Sequence, residues 1–268
     1  MAKSCSHGDS APSSVRAVSL SRDLPRTLRG RNEVLALGNL NDFQIRDARS
    51  TAALESMYEG STDRVLNGTA RETFAAIRLL QSIQDAPYRP EAQANYPKGR
   101  LGQSLLQIAR LIKADVGLEV AFADVGGWDT HVNETGSRPH LGQLANLLRD
   151  FGDSLAAFHY DLGDRMADIT VVTMSEFGRT VRENGNRGTD HGHANVMLVM
   201  GGKVNGGKVF GQWPGLEKEQ LYEGRDLNVT TDFRSVLSEL VAKQMGNPDV
   251  SQVFPGFRGT AHWSVLRT

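Results

Sequence analysis

The segment at residues 170–195, TVVTMSEFGRTVRENGNRGTDHGHAN, constrains the fold of this chain more than any other stretch. It begins with a β-branched apolar run at residues 170–174, which is typical of a strand buried on both faces of a parallel sheet. Polar residues follow at 175–180, then an imidazole-rich loop, and a second apolar run occupies residues 196–200. Because open α/β sheets bind ligands at the carboxyl ends of their strands, this segment is predicted to carry a site.

The size and charge of the chain limit its class. With 268 residues, of which 39% are hydrophobic, it is long enough to bury a substantial core. A formal net charge of -1 gives no electrostatic basis for nucleic-acid binding, so no nucleic-acid partner is expected. The single cysteine, Cys5, cannot form an internal disulfide, and the core or a metal must therefore hold the fold together.

Neither a membrane span nor a secretory signal is predicted. No run approaches the roughly 18 apolar residues that a spanning helix needs. Residues 1–14 contain Ser, Gly and Pro without an apolar core, and they are predicted to form a disordered tail. The chain as written is therefore expected to be cytoplasmic, while its compartment in the cell and its oligomeric state stay open.

The amino-terminal half alternates strand-like and helical segments. Strands are predicted at residues 15–20 and 33–40, and helices at residues 51–58, 70–84 and 99–114. The third helix repeats apolar residues at helical spacing, which predicts one buried face composed of Leu101, Leu105, Ile108 and Ile112.

A strand–helix–strand unit is predicted in the middle of the chain. A buried strand predicted at residues 118–125 is followed by an amphipathic helix at 141–162, which leads into the strand at 170–174. A later helix is predicted to be capped by one residue of the tripeptide Thr230-Thr231-Asp232 and to run to Met245, where Gly246 ends it. The alternation predicts an α/β fold with a mainly parallel central sheet.

Three polar clusters follow the predicted strands. Asp129 and His131 could converge on a divalent cation such as zinc, or orient each other as acid and base, although Asp-x-His also occurs widely by accident. Glu176 could bind a metal, cap the next turn or pair with Arg179.

The third cluster has the highest density of metal-ligand side chains in the sequence. It contains Asp190, His191 and His193 within four residues, and the alternative interpretation is a solvated polar loop. If the clusters follow parallel strands, Asp129, His131, Glu176 and His191 are expected to converge at one edge of the sheet.

Three strings of this sequence, GGWDTH, SEFGRT and GTDHGHAN, followed by an apolar strand and two glycines, resemble the family called domain of unknown function 1501, DUF1501. The resemblance is strongest from residue 96 to residue 257 and includes TTDFR and VFPGF. It implies membership of the alkaline phosphatase and sulfatase superfamily. The implied fold is a three-layer α/β sandwich with a mainly parallel central sheet, formed by residues 15–268 as one domain.

The resemblance also implies a set of site residues. Asp129, His131, Glu176 and His191 look like metal ligands, and the ion is expected to be divalent, with zinc, manganese, iron and calcium all open. The remaining residues of the implied site either support the ligands or contact the substrate: Asp190, His193, Arg179 and Arg182. Phe177 stands where the superfamily has an imidazole, so a second metal position is not expected.

The implied activity is metal-dependent hydrolysis or transfer of phosphate or sulfate esters, with a small anionic ester as substrate. The alternative is a non-catalytic domain that binds a ligand or partner on the same fold. Superfamily relatives, which are often exported, carry an upstream strand with an early aspartate and a nucleophile. No such strand precedes Val15, so the chain is expected to be the carboxyl-terminal part of the fold, incomplete at its amino terminus and impaired in activity, with no nucleophile identified.

Overall fold

The computed structural model describes residues 15–21, 23–30, 32, 34–40, 48–259 and 263–267. The predicted tail at residues 1–14 lies outside these described residues. The chain is an α/β protein, and it divides into two compact units, Met1–Val125 with Asp150–Leu162, and Gly126–Arg149 with Gly163–Thr268. Within the described ranges, no helix combines the length and the apolar character needed to cross a membrane.

The first unit contains a parallel three-stranded sheet. Its strands are β1 (Ala17–Ser19), β2 (Leu35–Ala36) and β3 (Val120–Phe122), in the order β2-β1-β3. The three strands predicted in this region are confirmed, although each is shorter than its apolar run. The prediction that the third strand is buried is wrong, because Val120 and Phe122 of β3 are half-buried and Ala121 is exposed.

The three helices predicted in the first unit are present. They are α1 (Ala48–Glu59), α2 (Arg64–Asp85) and α3 (Arg100–Lys113). The helix α2 begins at Arg64, although the predicted helix began at residue 70. The carboxylate of Asp63 caps α2 by accepting hydrogen bonds from the amides of Val65 and Leu66. In α3 the predicted face is buried at Leu101, Leu105 and Ile108, whereas Ile112 is half-buried and its neighbour Leu111 is buried instead.

A buried carboxylate on the helix α4 (Gln143–Leu162) accepts hydrogen bonds from several other segments of the first unit. Asp161 of α4 accepts hydrogen bonds from the Lys113 ammonium at 2.7 Å, the Tyr96 hydroxyl at 2.9 Å and the Glu91 amide at 3.0 Å, and also from the Tyr88 hydroxyl. Its side chain is fully buried. These bonds attach the proline-containing segment between α2 and α3 to α4.

The second unit contains two antiparallel strand pairs. The strand β4 (Thr170–Val172) pairs with β7 (Val199–Gly201), and β5 (Gly178–Arg179) pairs with β6 (His191–Gly192). The prediction that residues 170–174 form a strand of a βαβ unit in a parallel sheet is therefore wrong for the described residues. The chain between β4 and β7 folds back on itself through β5 and β6, so β7 enters its ladder in the opposite direction to β4. An apolar run predicts a strand but contains no information on its direction.

The last helix, α5 (Phe233–Lys243), packs in the second unit. Its N-cap is Asp232, one residue of the tripeptide predicted to supply the cap, and the carboxylate accepts a hydrogen bond from the Arg234 amide at 2.9 Å. Leu240 of α5 forms a core cluster with Val204 and Leu266. This cluster also contacts the half-buried Val172 and Val199, and so it supports the β4–β7 pair, whose connecting chain contains the β5–β6 pair.

Candidate metal centre

The β5–β6 pair fixes the relative position of two side chains of the site. Arg179 and His191 are cross-strand partners in this pair. A Cβ atom at Gly192 would lie 2.3 Å from the carbonyl oxygen of Arg179, so only glycine permits this strand separation. Gly188 likewise permits a close approach to the segment that carries Asp129 and His131, because a Cβ atom at Gly188 would lie 2.3 Å from the carbonyl oxygen of His131.

Three side chains converge as candidate metal ligands. One ligand atom each from Asp129, His131 and His191 lies within 4.8 Å of the others. Oδ1 of Asp129 is 2.9 Å from Nε2 of His131 and 2.7 Å from Nε2 of His191. A carboxylate oxygen and an imidazole lone pair repel each other at this distance, so a proton or a metal ion must lie between each nitrogen and the oxygen.

A second carboxylate lies behind His131. Oδ1 of Asp190 is 2.9 Å from Nδ1 of His131, the ring nitrogen that faces away from Asp129. The Nδ2 amide of Asn184 donates to the same Asp190 oxygen at 3.0 Å and to the His131 carbonyl at 3.0 Å. Asn184 therefore bonds to both members of the Asp190–His131 pair.

Arg179 borders the cluster and is held by several hydrogen bonds. Its Nη1 donates to Oδ1 of Asp129 at 2.6 Å, its Nε donates to the Thr189 hydroxyl at 2.9 Å, and its Nη2 donates to the Thr189 carbonyl. The Thr189 hydroxyl in turn donates to Glu134 at 2.7 Å. The guanidinium is thus a fixed positive charge beside the candidate ligands.

These contacts keep the two aspartates ionised. The hydrogen bond from His191 is the main cause that lowers the pKa of Asp129, and the hydrogen bond from Arg179 lowers it further. The hydrogen bond from His131 lowers the pKa of Asp190, followed by the bond from Asn184. Both side chains are therefore carboxylates at neutral pH, which is the form that binds a cation.

Aromatic rings flank the histidines. Phe177 stacks on His191 with ring centroids 4.8 Å apart and an interplanar angle of 26°. His193 stacks on Tyr222 with centroids 4.0 Å apart and an angle of 6°. The Phe177 ring limits the rotation of His191, and His193 is engaged with a ring outside the cluster.

Among the described contacts, none joins Glu176, Arg182 or His193 to this cluster. Glu176 is exposed and does not belong to the group of converging ligand atoms found among the described residues. Arg182 is exposed, and its carbonyl accepts a hydrogen bond from the Thr180 hydroxyl. His193 contacts Tyr222 as described. The geometry therefore brings together Asp129, His131 and His191, with Asp190 and Arg179 around them.

The donor set suits a first-row transition ion. Two imidazole nitrogens and one carboxylate oxygen match the three protein ligands of catalytic zinc sites, which leave a position for water or substrate. The same set with open positions also occurs at iron centres. Asp129 and His191 are exposed and His131 is half-buried, so a ligand in solution can reach the cluster.

Sequence reasoning missed Asn184, Thr189 and Glu134. Asn184 lies in a turn rich in Gly and Asn, and its Oδ1 accepts hydrogen bonds from the amides of Asn186 and Gly188. The sequence NGNRG could have predicted that turn. The contacts of Asn184 with His131 and of Thr189 with Glu134 are tertiary, and no local pattern indicates them.

The chain matches a protein family. The model of a family described as "Protein of unknown function (DUF1501)" matches residues 3–254 of the chain. No curated protein and no solved structure matches the chain.

Proposed function

The chain belongs to the DUF1501 family of proteins of unknown function, and from the geometry of its candidate site we propose that it is a metal-dependent enzyme that hydrolyses or transfers phosphate or sulfate esters. We further propose that it has an alkaline-phosphatase-like fold, a three-layer sandwich. The parallel three-stranded sheet with its helices supports the proposed fold.

The observation that carries the proposed activity is the convergence of Asp129, His131 and His191 beside Arg179. The first three supply the donor set for one divalent ion. Such an ion, when bound, polarises an ester oxygen and lowers the pKa of a bound water. A cationic guanidinium beside these ligands suits an anionic substrate, because Arg donors match the oxygens of phosphate and sulfate.

The side chains of the site have separate tasks in this proposal. Asp129 and the two histidines bind the ion, and Asp190 orients His131 through its Nδ1 atom. Arg179 keeps its orientation through Thr189, and it neutralises charge on the oxygens of the ester. The Phe177 ring against His191 removes water from one face of that ligand.

Turnover of aryl phosphates and aryl sulfates by the zinc- or manganese-loaded protein tests this proposal. The chain should release the aryl alcohol only when the metal is present. Loss of one electrostatic donor typically lowers kcat by roughly 10²–10³-fold, and Arg179→Ala is expected to fall in this range. Arg258→Ala, which removes an exposed arginine of the same unit, is the matched control and should retain the activity.

The outcomes separate the two candidate functions. Turnover that needs metal and falls in Arg179→Ala supports the enzyme. Metal binding without turnover of either ester class contradicts it and favours the non-catalytic domain, in which the same loops bind a ligand or partner.

A further inference from the structure

We infer that Asn184 and Asp190 act as a positioning pair that fixes which nitrogen of His131 binds the metal, and that the centre consequently takes an imidazole-binding transition ion such as zinc in preference to calcium or magnesium. This inference rests on the proposed metal centre and deepens it. It names the class of ion and a residue that no sequence motif indicated.

The first step is the proton on His131. Nδ1 of this ring is 2.9 Å from Oδ1 of Asp190. An ionised carboxylate only accepts hydrogen bonds, so Nδ1 must carry a proton. A neutral imidazole with its proton on Nδ1 has its lone pair on Nε2. That nitrogen is the one that lies 2.9 Å from Asp129, within the converging group.

The second step is the orientation of Asp190. This carboxylate is exposed, and an exposed side chain has no packing to select one rotamer. Asn184 supplies the missing constraint, because its Nδ2 donates to Oδ1 of Asp190 and also to the His131 carbonyl. The amide is itself fixed, since its Oδ1 accepts from the Asn186 and Gly188 amides at 2.8 Å and 3.2 Å.

The third step concerns the ion. A carboxylate behind a ligating imidazole fixes the tautomer and increases the basicity of the nitrogen that binds the metal. Calcium prefers six to eight oxygen ligands, and magnesium keeps several waters and binds carboxylates. The cluster offers two nitrogens and one carboxylate oxygen, a set that suits zinc or iron far better than calcium.

Two measurements on the full chain test the inference without any assay of activity. The first is titration calorimetry with zinc, calcium and magnesium. The second is nitrogen-15 NMR of the histidine side chains in the zinc-loaded protein, which distinguishes a metal-bound Nε2 from a metal-bound Nδ1. Wild type should bind one zinc ion at least roughly 100-fold more tightly than calcium, with His131 bound through Nε2 and protonated at Nδ1.

Asn184→Asp is the sharpest variant, because it keeps the oxygen that accepts from the two turn amides and removes the donor to Asp190. Asn184→Ala removes the same donor without adding charge, and Asp190→Asn weakens the acceptor directly. Each of the three variants should bind zinc roughly 10–100-fold more weakly than wild type. The Nδ1 proton of His131 should also exchange with water faster. Asn228→Asp is the matched control, since the Asn228 amide donates only to the Gln220 carbonyl among the described contacts. It should bind zinc as wild type does.

Different results would overturn different parts of the inference. Zinc affinity and His131 signals that are unchanged in all three variants overturn the positioning role. Calcium that binds as tightly as zinc, or His131 bound through Nδ1, overturns the inferred ion class and tautomer, and a wild type that binds no zinc overturns the whole inference. Zinc bound as described by a protein that turns over neither ester class overturns only the proposed function.

Discussion

Arg179 and His191 are cross-strand partners of the β5–β6 pair, and both side chains contact the same atom, Oδ1 of Asp129. The distances are 2.6 Å from the arginine Nη1 and 2.7 Å from the histidine Nε2. A two-residue strand pair thus places one cationic group and one metal-ligand group on the same carboxylate oxygen. The positions of these two side chains are therefore set by the local register of the β5–β6 pair, and not by the edge of a larger sheet.

The two histidines of the motif at residues 190–193 should differ in their effect on metal binding. His191→Ala is expected to weaken zinc binding by more than roughly 100-fold, because it removes a direct ligand, whereas supporting residues cost roughly 10–100-fold or less. His193→Ala should have a small effect, since that ring stacks on Tyr222. Calorimetric titration with zinc checks the order, and a larger loss in His193→Ala would reverse the two assignments.

The hydrogen bonds that join Glu134, Thr189 and Arg179 can be tested with an isosteric substitution. Thr189→Val removes the hydroxyl that accepts from Arg179 and donates to Glu134. The free energy of unfolding should fall by about 1 kcal/mol, and inorganic phosphate should bind more weakly because the guanidinium loses its orientation.

Urea denaturation and phosphate titration of the zinc-loaded protein give the two readouts. Thr73→Val is the control for the same chemical change, because the Thr73 hydroxyl bonds only to the Thr69 carbonyl of its own helix among the described contacts. Phosphate affinity that is equal in Thr189→Val and wild type would show that Thr189 does not orient Arg179.

Helices were the part of the fold that the sequence predicted best. Their apolar periodicity and caps are local, and α3 and α5 begin and end close to the predicted residues. Strand pairing was harder to predict, because the apolar run at residues 170–174 is compatible with either direction of its neighbour. The antiparallel pairing of β4 with β7 depends on how the intervening chain returns, which no local pattern determines.

The candidate ligands were visible in the sequence, but their supports were not. Asp129, His131 and His191 have side chains whose chemistry points to metal binding wherever they cluster. Asn184 and Thr189 are ordinary polar residues whose roles come from contacts with residues 53 and 55 positions away, His131 and Glu134 respectively. For Glu176 the sequence suggested too much. Its position after a strand predicted a metal ligand, but its exposed side chain lies outside the converging group.

The buried carboxylate of Asp161 should be the main polar determinant of stability in the first unit. Asp161→Asn removes the negative charge that the Lys113 ammonium contacts at 2.7 Å and leaves it only the Glu91 carboxylate, 3.6 Å away. Breaking a buried ion pair costs about 3 kcal/mol or more. The unfolding midpoint in urea should therefore fall sharply. Asp164→Asn, at an exposed position of the 3-10 helix Gly163–Asp168, is the control and should change it little. Equal midpoints for the two variants would contradict the assigned role.

Acid should destabilise the second unit through Glu239. Burial alone would raise the pKa of this carboxyl, but the hydrogen bonds from Lys243 and from the Leu266 amide outweigh it and lower the pKa below its ordinary 4.5. Because the folded-state pKa is the lower one, the stabilisation is complete above pH 4.5 and is lost as the pH falls through the folded-state value.

The variant Glu239→Gln isolates this contribution. It should be less stable than wild type at neutral pH, and the difference should shrink as the pH falls below the ordinary value. Urea denaturation across this pH range measures it. A difference between the two proteins that stays constant down to about pH 3 would mean that Glu239 does not titrate with folding.

The stoichiometry of bound zinc tests the central claim most directly. Purified protein dialysed against zinc and then against buffer is analysed for metal per chain, beside a variant that carries Asp129→Ala, His131→Ala and His191→Ala together. The structure predicts one zinc per wild-type chain and none in the variant. A wild type that retains no zinc, or a variant that retains as much as wild type, would contradict the assignment of the metal centre to these three residues.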